Sequence, residues 1–240
     1  MGWKMSMIII NSEKEFKKDE LFESLGYYDL KHIDKRYWES VINPDDGRIY
    51  IGQHNGNTII CMQELPIESL DTSLSRAEKV FSENFPNADI VTFALHSVVN
   101  LWGYSVVNNG KKLRVRGGTA DSGIIVESGE ILEEEKELFS KSKVNANGDR
   151  VFVFEGMPND EFEDSQVGEN FVFDLSRKYF GESLDSGDAL FEVELEGYTY
   201  STSKPTNKIE EQIQPKQIQP EPNQPKQNKP SPKKPWWKFW

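Results

Sequence analysis

The chain has 240 residues, room for one large domain or two small ones, and its single cysteine, Cys61, excludes an intramolecular disulfide. The formal net charge is −12, but Lys204–Trp240 carries eight lysines and three glutamates, a net of +5, which leaves −17 on residues 1–203. A body this acidic repels phosphate backbones, so we expect no nucleic-acid binding by the body.

The apolar segments are all short. The run Met7–Ile10 near the amino terminus is too short for a secretion signal, and no stretch approaches the ~18 apolar residues that span a bilayer. A single thiol also suits a reducing compartment. We therefore expect a cytoplasmic location.

The first elements along the chain are a strand and a helix. The apolar run Ser6–Ile10 predicts a buried strand. Ser12 is then expected to cap a helix that ends at Gly26. No element is predicted for Tyr27–Val41, where aromatic and charged residues are mixed.

Three Asn-Gly pairs, at Asn55-Gly56, Asn109-Gly110 and Asn147-Gly148, predict tight turns because asparagine and glycine tolerate the positive φ that type I′ turns require. The strand after the second pair alternates apolar with basic residues. This alternation predicts one buried face and one basic face in solvent, the latter formed by Lys112, Arg114 and Arg116.

Between and after the hairpins, the pattern predicts an interior strand at Val91–Val99 and three helices. One helix begins at Ser75, which forms a capping box with Glu78, and another ends at Gly181. A weaker, acidic helix is expected at about residues 129–139, with its solvent-facing side formed by Glu133, Glu134 and Glu135.

These elements predict an α+β fold, with a mainly antiparallel, hairpin-rich sheet and several packed helices. From about Ser201 onward, proline and glutamine dominate the sequence. The few apolar residues of this segment bury too little surface to offset the conformational entropy that is lost on folding. We predict an acidic globular domain at residues 1–200, a disordered Pro/Gln/Lys-rich linker at 201–235 and an aromatic tip at 236–240.

Several motifs of the body resemble a bacterial family catalogued only as a domain of unknown function. The resemblance covers most of residues 1–197, which favours one domain and marks the tail as an addition. No activity is implied by it. The matching segments are Leu95-His96-Ser97-Val98-Val99 with Trp102, Ala120-Asp121-Ser122-Gly123-Ile124-Ile125, Met1-Gly2 with Lys4, Ile49-Tyr50-Ile51-Gly52 with Cys61, Gly168-Glu169 and Phe180-Gly181.

His96, Asp121 and Ser122 are the candidate catalytic residues. A histidine oriented by a carboxylate can act as a general base, and a serine beside a glycine can lie exposed on a turn. The segment has no G-x-S-x-G elbow. The alternative interpretation is that His96 is a satisfied histidine of the sheet and that residues 121–123 close a turn.

Other candidate sites have simpler structural interpretations. Cys61 could be a nucleophile with His96 and Asp121, but its neighbours Ile59, Ile60 and Met62 favour a small core residue. The glycine-rich segment 117–123 could hold an anion, but it lacks the Lys-Ser/Thr ending of a P-loop. The histidines and the acidic clusters at 45–46 and 160–164 lack metal-ligand spacing, so neither a metal nor a cofactor is expected.

The aromatic tip is the most unusual feature, since Trp236, Trp237, Phe239 and Trp240 lie around Lys238 at the end of a polar tail. Exposure of so much aromatic surface favours a partner. That partner could be the chain's own acidic body, a groove on another protein or an anionic membrane surface. A disordered end without a ligand is the remaining interpretation.

The sequence therefore favours a non-enzymatic binding or adaptor protein whose aromatic-basic tip engages a partner. A small hydrolase using His96, Asp121 and Ser122 is the second hypothesis. Membrane-surface tethering through the tip is the third.

Overall fold

The most apolar segment of the chain forms a central strand, β1 (Lys4–Ile10), in a computed structural model that describes residues 2–188 and 190–204. Residues Met5 to Ile10 are all buried, so both faces of this strand are covered. A continuous apolar run is the pattern expected of such a strand. The prediction of a buried first strand is confirmed.

Two antiparallel sheets are formed within the described ranges. The larger has nine strands, namely β1, β2 (Tyr28–Tyr37), β3 (Arg48–His54), β4 (Asn57–Cys61), β5 (Asp89–His96), β6 (Leu101–Asn108), β7 (Lys111–Thr119), β8 (Gly123–Gly129) and β12 (Glu194–Ser201). The smaller has three, β9 (Ser142–Val144), β10 (Arg150–Phe154) and β11 (Met157–Glu163). The strand orders are β2-β12-β3-β4-β1-β5-β6-β7-β8 and β11-β10-β9.

Asn-Gly turns set the register of two hairpins in the larger sheet. Asn55-Gly56 joins β3 to β4 and Asn109-Gly110 joins β6 to β7, and all four residues have positive φ, between 47° and 74°. Asn147-Gly148 lies between β9 and β10, where the Asn145 side chain accepts hydrogen bonds from the backbone N–H groups of Asn147 and Asp149. The first two turns have the predicted backbone conformation, whereas in the third pair only Gly148 has positive φ.

The helices cover both faces of the larger sheet. One face carries α1 (Lys18–Ser24), α3 (Glu64–Glu68) and α4 (Arg76–Asn84), and we call it the α4 face. The other carries α2 (Trp38–Val41), α5 (Glu133–Ser140) and α6 (Asp164–Phe180), and we call it the α6 face. Successive residues of β1 alternate between them: Met7 and Ile9 reach the α6 face, and Ile8 and Ile10 the α4 face.

Two helix ends confirm the capping predictions. The Ser75 hydroxyl accepts a hydrogen bond from the Glu78 backbone N–H at 3.1 Å, and the Glu78 carboxylate accepts one from the Ser75 backbone N–H at 2.7 Å. Gly181 ends α6 in the left-handed conformation, with φ of 80°. The α+β prediction, with a mainly antiparallel sheet, is confirmed.

The predicted cap of the first helix is wrong. The first helix begins at Lys18, because the Ser12 hydroxyl accepts a hydrogen bond from the Lys14 backbone N–H in a local turn and does not cap a helix. The stretch Tyr27–Val41 contains the ten-residue strand β2 and the helix α2. The predicted disordered linker and aromatic tip lie outside the described residues.

Candidate functional site

The candidate catalytic residues lie at one end of the larger sheet. His96 is the last residue of β5, and Asp121 and Ser122 lie in the turn between β7 and β8. This end of the sheet also holds the start of β1, because His96 pairs with Lys4. The topology thus brings the three residues to the same end of the sheet.

At that end of the sheet, His96 is separated from Asp121 and Ser122 across the strands. His96 is opposite Leu101 on β6, and β7 follows β6, so about two to three strand spacings, roughly 10–14 Å, intervene. Direct proton transfer needs heavy atoms about 2.6–3.2 Å apart. Within the described residues no hydrogen bond joins His96 to Asp121 or to Ser122, so the predicted constellation is not assembled.

The buried Nδ1 of His96 has no hydrogen-bond partner within the described residues, so the alternative interpretation of a satisfied histidine is wrong. The Ser122 backbone N–H donates to the Thr119 hydroxyl at 3.1 Å, which closes the turn. The neighbour of His96, Ser97, has its hydroxyl 2.8 Å from a Glu169 carboxylate oxygen and 2.9 Å from the Trp3 carbonyl. These contacts attach α6 and the amino-terminal segment to the end of β5.

Cys61 lies in the core and not at a surface site. Cys61 is 0% exposed in β4, where it is paired with Met7 of β1 on one side and Tyr50 of β3 on the other. Burial raises the pKa of its thiol well above the ordinary value. A thiol that stays protonated is a poor nucleophile, and the interpretation of Cys61 as a core residue agrees with this environment.

The basic residues of β7 are buried, contrary to the predicted basic face in solvent. Arg114 is 2% exposed and Arg116 is 0% exposed, and both lie on the α6 face with Tyr104 and Trp102 of β6. Alternation along a strand shows which residues share a face, but it does not show which face is buried.

Lys112 lies on the opposite face because β7 contains a β-bulge. Val106 is opposite Arg114 and Val107 is opposite Lys112, so Leu113 is an extra residue on β7. Such a residue reverses the alternation of side chains beyond it. Lys112 therefore faces α4, where its ammonium lies 2.9 Å from the Glu78 carboxylate and donates to the carbonyls of Ser69 and Asp71.

Arg114 and Glu135 form the centre of a buried network on the α6 face. The Arg114 guanidinium donates to both Glu135 carboxylate oxygens at 2.9–3.1 Å, and Tyr104 donates to the same carboxylate. Burial alone would lower the pKa of Arg114, but the hydrogen bonds to Glu135 outweigh burial and raise it. Burial, reinforced by Glu135, raises the pKa of Tyr104 well above its ordinary value.

Glu135 also corrects the prediction for α5. Glu133–Glu135 was expected to form the solvent-facing side of that helix, but Glu135 is only 1% exposed. Its carboxylate accepts a hydrogen bond from the Leu132 backbone N–H at 2.7 Å in addition to those from Arg114 and Tyr104. One acidic residue of the run therefore holds α5 against the sheet.

Arg116 lies beside this pair, inside an aromatic enclosure. Its guanidinium carbon is 4.5–5.1 Å from the ring centres of Trp102, Phe139 and Phe171, and its Nη2 donates to Asp164 at the start of α6. Stacked guanidinium and aromatic groups attract one another most strongly when desolvated. Arg116 thus joins β7 to both α5 and α6.

Glu127 of β8 completes the network. Its carboxylate lies 3.0 Å from Arg114, 3.3 Å from Arg116 and 3.5 Å from Arg150. Burial alone would raise the pKa of Glu127, but the three arginines outweigh burial and lower it. We call the set of Tyr104, Arg114, Arg116, Glu127, Glu135, Asp164 and Arg150 the arginine cluster.

The arginine cluster contains three arginines and three carboxylates, so its formal charges balance. Balanced, paired charges hold the surrounding elements together and leave little net field for an anion. The cluster was not predictable from the sequence because its residues come from six separate elements, β6, β7, β8, α5, β10 and α6. The one available signal was the basic strand followed by the acidic helix.

Two clefts lie away from these residues. One, of about 350 Å³, lies at the opposite end of the sheet beside the β3–β4 turn and is lined by polar residues that include Glu13, His54 and Asn57. The other lies beside Trp38 and Phe180 and is far smaller, about 10 Å³. None of His96, Asp121 and Ser122 lines either cleft.

The described ranges contain neither a metal-binding group of side chains nor a membrane-spanning helix. No three His, Cys, Asp or Glu side chains there form a group that could hold a metal ion. None of the helices in the same ranges combines the length and the apolar character needed to cross a bilayer. The predicted binding residues Trp236, Trp237, Lys238, Phe239 and Trp240 lie outside the described residues.

Comparison with known proteins identifies a family but no activity. No curated protein matches the chain, and no solved structure matches it. A family of unknown function, DUF6928, matches residues 20–149, more than half of the chain. This range includes the β5–β8 strands with His96, Asp121 and both buried arginines. The chain therefore belongs to this family of unknown function.

Proposed function

We propose that this chain is a binding or adaptor protein whose aromatic-basic tip, Trp236–Trp240, engages a protein partner. The observation that carries the proposal is the concentration of aromatic residues: three of the six tryptophans lie in the last five residues. They follow a segment that is otherwise rich in proline, glutamine and lysine.

The composition of the tip suits recognition. Tryptophan is enriched among the residues that dominate binding energy at protein interfaces, because its large ring is desolvated in a pocket of the partner. Lys233, Lys234 and Lys238 add attraction to an acidic surface. A partner with an apolar groove bordered by acidic residues would suit both properties.

The linker supports this role. Residues 205–235 would span roughly 30 Å as a flexible coil and up to roughly 95 Å as extended polyproline. The family match ends at residue 149, so the tip and linker lie outside the part of the chain that the family describes.

The hydrolase hypothesis remains a prediction. His96 and the turn that holds Asp121 and Ser122 would have to approach each other by roughly 10 Å to act together. No described contact favours that movement. We therefore base the proposed function on the tip.

The test compares three full-length proteins as baits in an extract of the cells that produce the chain. In one variant, Trp236, Trp237, Phe239 and Trp240 are replaced by serine, and the lysines are kept. In a matched variant, Lys233, Lys234 and Lys238 are replaced by glutamine, and the aromatic residues are kept. We expect defined proteins to be enriched by the wild type, lost from the serine variant and reduced for the glutamine variant.

The same partner set recovered with all three baits would refute the proposal. Where partners do differ between the baits, each purified candidate partner must bind the wild type most tightly, the glutamine variant less tightly and the serine variant least. Co-sedimentation with vesicles rich in anionic lipid is measured in parallel. If the wild type binds those vesicles through the aromatic residues and no protein is lost from the serine variant, the tip is a membrane tether and the adaptor proposal is wrong.

A further inference from the structure

Three exposed asparagines in the turns of this fold precede a glycine: Asn55, Asn109 and Asn147. Each pair carries the groups for a spontaneous reaction of the main chain, because glycine has no Cβ atom to shield its backbone nitrogen. The same two residue types react in all three pairs. Large differences in their reactivity must therefore come from the fold.

The reaction converts the asparagine to an acid. The backbone nitrogen of the glycine loses its proton to solvent and attacks the Cγ atom of the asparagine, which forms an N–Cγ bond. The Cγ–Nδ2 bond breaks, and the side-chain nitrogen takes up a proton and leaves as ammonia. Water then opens the cyclic imide at either of its carbonyl groups. One product is aspartate, and the other is isoaspartate, in which the main chain runs through the side-chain carbons.

The backbone conformation protects Asn55 and Asn109. Their φ angles are 47° and 50°, in the left-handed region. In that region ψ is about +47°, which directs the next backbone nitrogen away from the Cβ atom and hence from Cγ. Ring closure therefore requires a large rotation of the asparagine backbone. Asn147 is not in the left-handed region, so the Gly148 nitrogen does not start from this unfavourable position.

The strands beside each pair restrain that rotation to different degrees. The strands β3, β4, β6 and β7 lie inside the larger sheet and have a paired neighbour on both sides. Asn147 instead follows β9, a three-residue outer strand of the smaller sheet in which Lys143 and Val144 are exposed. Segments with few buried contacts open locally at low cost in free energy. We therefore expect the β9–β10 turn to rearrange more often than the other two turns.

Asn145 is the restraint on the third pair. Its side-chain oxygen accepts hydrogen bonds from the backbone N–H groups of Asn147 at 2.9 Å and Asp149 at 3.0 Å. The N–H of Gly148, whose nitrogen is the attacking atom, donates to the Asn145 carbonyl at 3.1 Å. Water competes with hydrogen bonds on an exposed turn, so each has a modest net strength. Asn145 should therefore slow the reaction at Asn147 without preventing it.

We propose that Asn147 is a self-modifying site, which deamidates faster than Asn55 and Asn109 in the folded protein. Isoaspartate at this position lengthens the main chain between β9 and β10, so the Asn145 side chain loses its fit to the N–H groups of residues 147 and 149. The smaller sheet is consequently the first part of the body that ageing of the protein loosens. The site lies in the body and is independent of what the tip binds.

The experiment incubates the folded full-length chain at mildly alkaline pH, where the glycine nitrogen loses its proton more readily. Trypsin cleaves after Lys143 and Arg150, so Asn147 is released on a different peptide from Asn55 and Asn109. Mass spectrometry then follows the conversion of each amide to a carboxylate. We expect Asn147 to react at least about tenfold faster than the other two, because its turn opens at lower cost. In urea, where the fold is lost, the three rates should become similar.

A variant tests the role of the turn itself. Asn145→Ala removes the two side-chain hydrogen bonds and should accelerate the reaction at Asn147. The rates at Asn55 and Asn109 in the same molecules are the internal control and should stay unchanged. Equal rates at the three asparagines in the folded protein would overturn the proposal. So would a difference between them that persists unchanged in urea, or an Asn145→Ala variant in which Asn147 reacts no faster.

Discussion

Lys112 and Arg114 are separated by a single residue, and yet their side chains lie on opposite faces of the sheet. The bulge at Leu113 causes the reversal. Lys112 consequently pairs with Glu78 of α4, whereas Arg114 pairs with Glu135 of α5. A short segment of one strand therefore fastens helices to both sides of the sheet.

The first prediction concerns the charge of Glu135. Glu135→Gln should destabilise the fold by about 3–5 kcal/mol, because it leaves the partly exposed Glu127 as the one acidic partner of buried Arg114 within the described residues. The measurement is urea-induced unfolding of both proteins. Glu133→Gln on the same helix, 80% exposed, is the control and should change stability by less than about 0.5 kcal/mol. Equal effects of the two substitutions would show that the buried pair is not important for stability.

The second prediction concerns the contact between α6 and the sheet at Gly168. A Cβ atom there would lie 2.1 Å from the Trp102 ring, which is itself buried. Gly168→Ala should therefore destabilise the fold by about 1–3 kcal/mol, although alanine favours helices. Gly156→Ala, whose Cβ would meet nothing within 4 Å, should be nearly neutral. Thermal unfolding distinguishes the two, and a stabilised Gly168→Ala protein would contradict the described packing.

The third prediction concerns acid stability and Glu127. The fold holds the pKa of Glu127 below its ordinary value of 4.5, so this carboxylate stabilises the fold above that pH. The contribution is lost as pH falls below about 4.5 toward the lower value of the folded state. Glu127→Gln should therefore be less stable at neutral pH and lose less of its thermal stability on acidification. Parallel pH profiles of wild type and variant would contradict this assignment.

The fourth prediction concerns thiol reactivity. Because Cys61 is buried and its pKa is raised, a disulfide reagent such as Ellman's reagent should modify it only after unfolding. The exposed thiol of Val98→Cys should react at once in the folded protein. Fast modification of Cys61 in the wild type would show that β4 opens readily.

Local signals in the sequence predicted much of the fold. Asn55-Gly56 and Asn109-Gly110 determine tight turns through backbone geometry alone, and Ser75 with Glu78 caps a helix by two local hydrogen bonds. These features depend on residues within four positions of each other. For this reason they are readable without the rest of the chain.

The arginine cluster and β2 depend on distant contacts and were not predictable in the same way. Arg116 is buried only because Asp164, 48 positions later, and three aromatic rings surround it. β2 has no apolar alternation and becomes a strand because β12 pairs with it. The distance between His96 and Asp121 was not predictable for a similar reason, since spacing in sequence did not show that strands separate the two residues.

The position of β12 has a consequence for synthesis of the chain. This strand is formed by Glu194–Ser201, yet it lies between β2 and β3, which were made more than 140 residues earlier. On the ribosome, β2 has no neighbour in the larger sheet until β12 emerges. Residues 28–37 must therefore stay unpaired through most of translation, and completion of the sheet is a late event of high contact order.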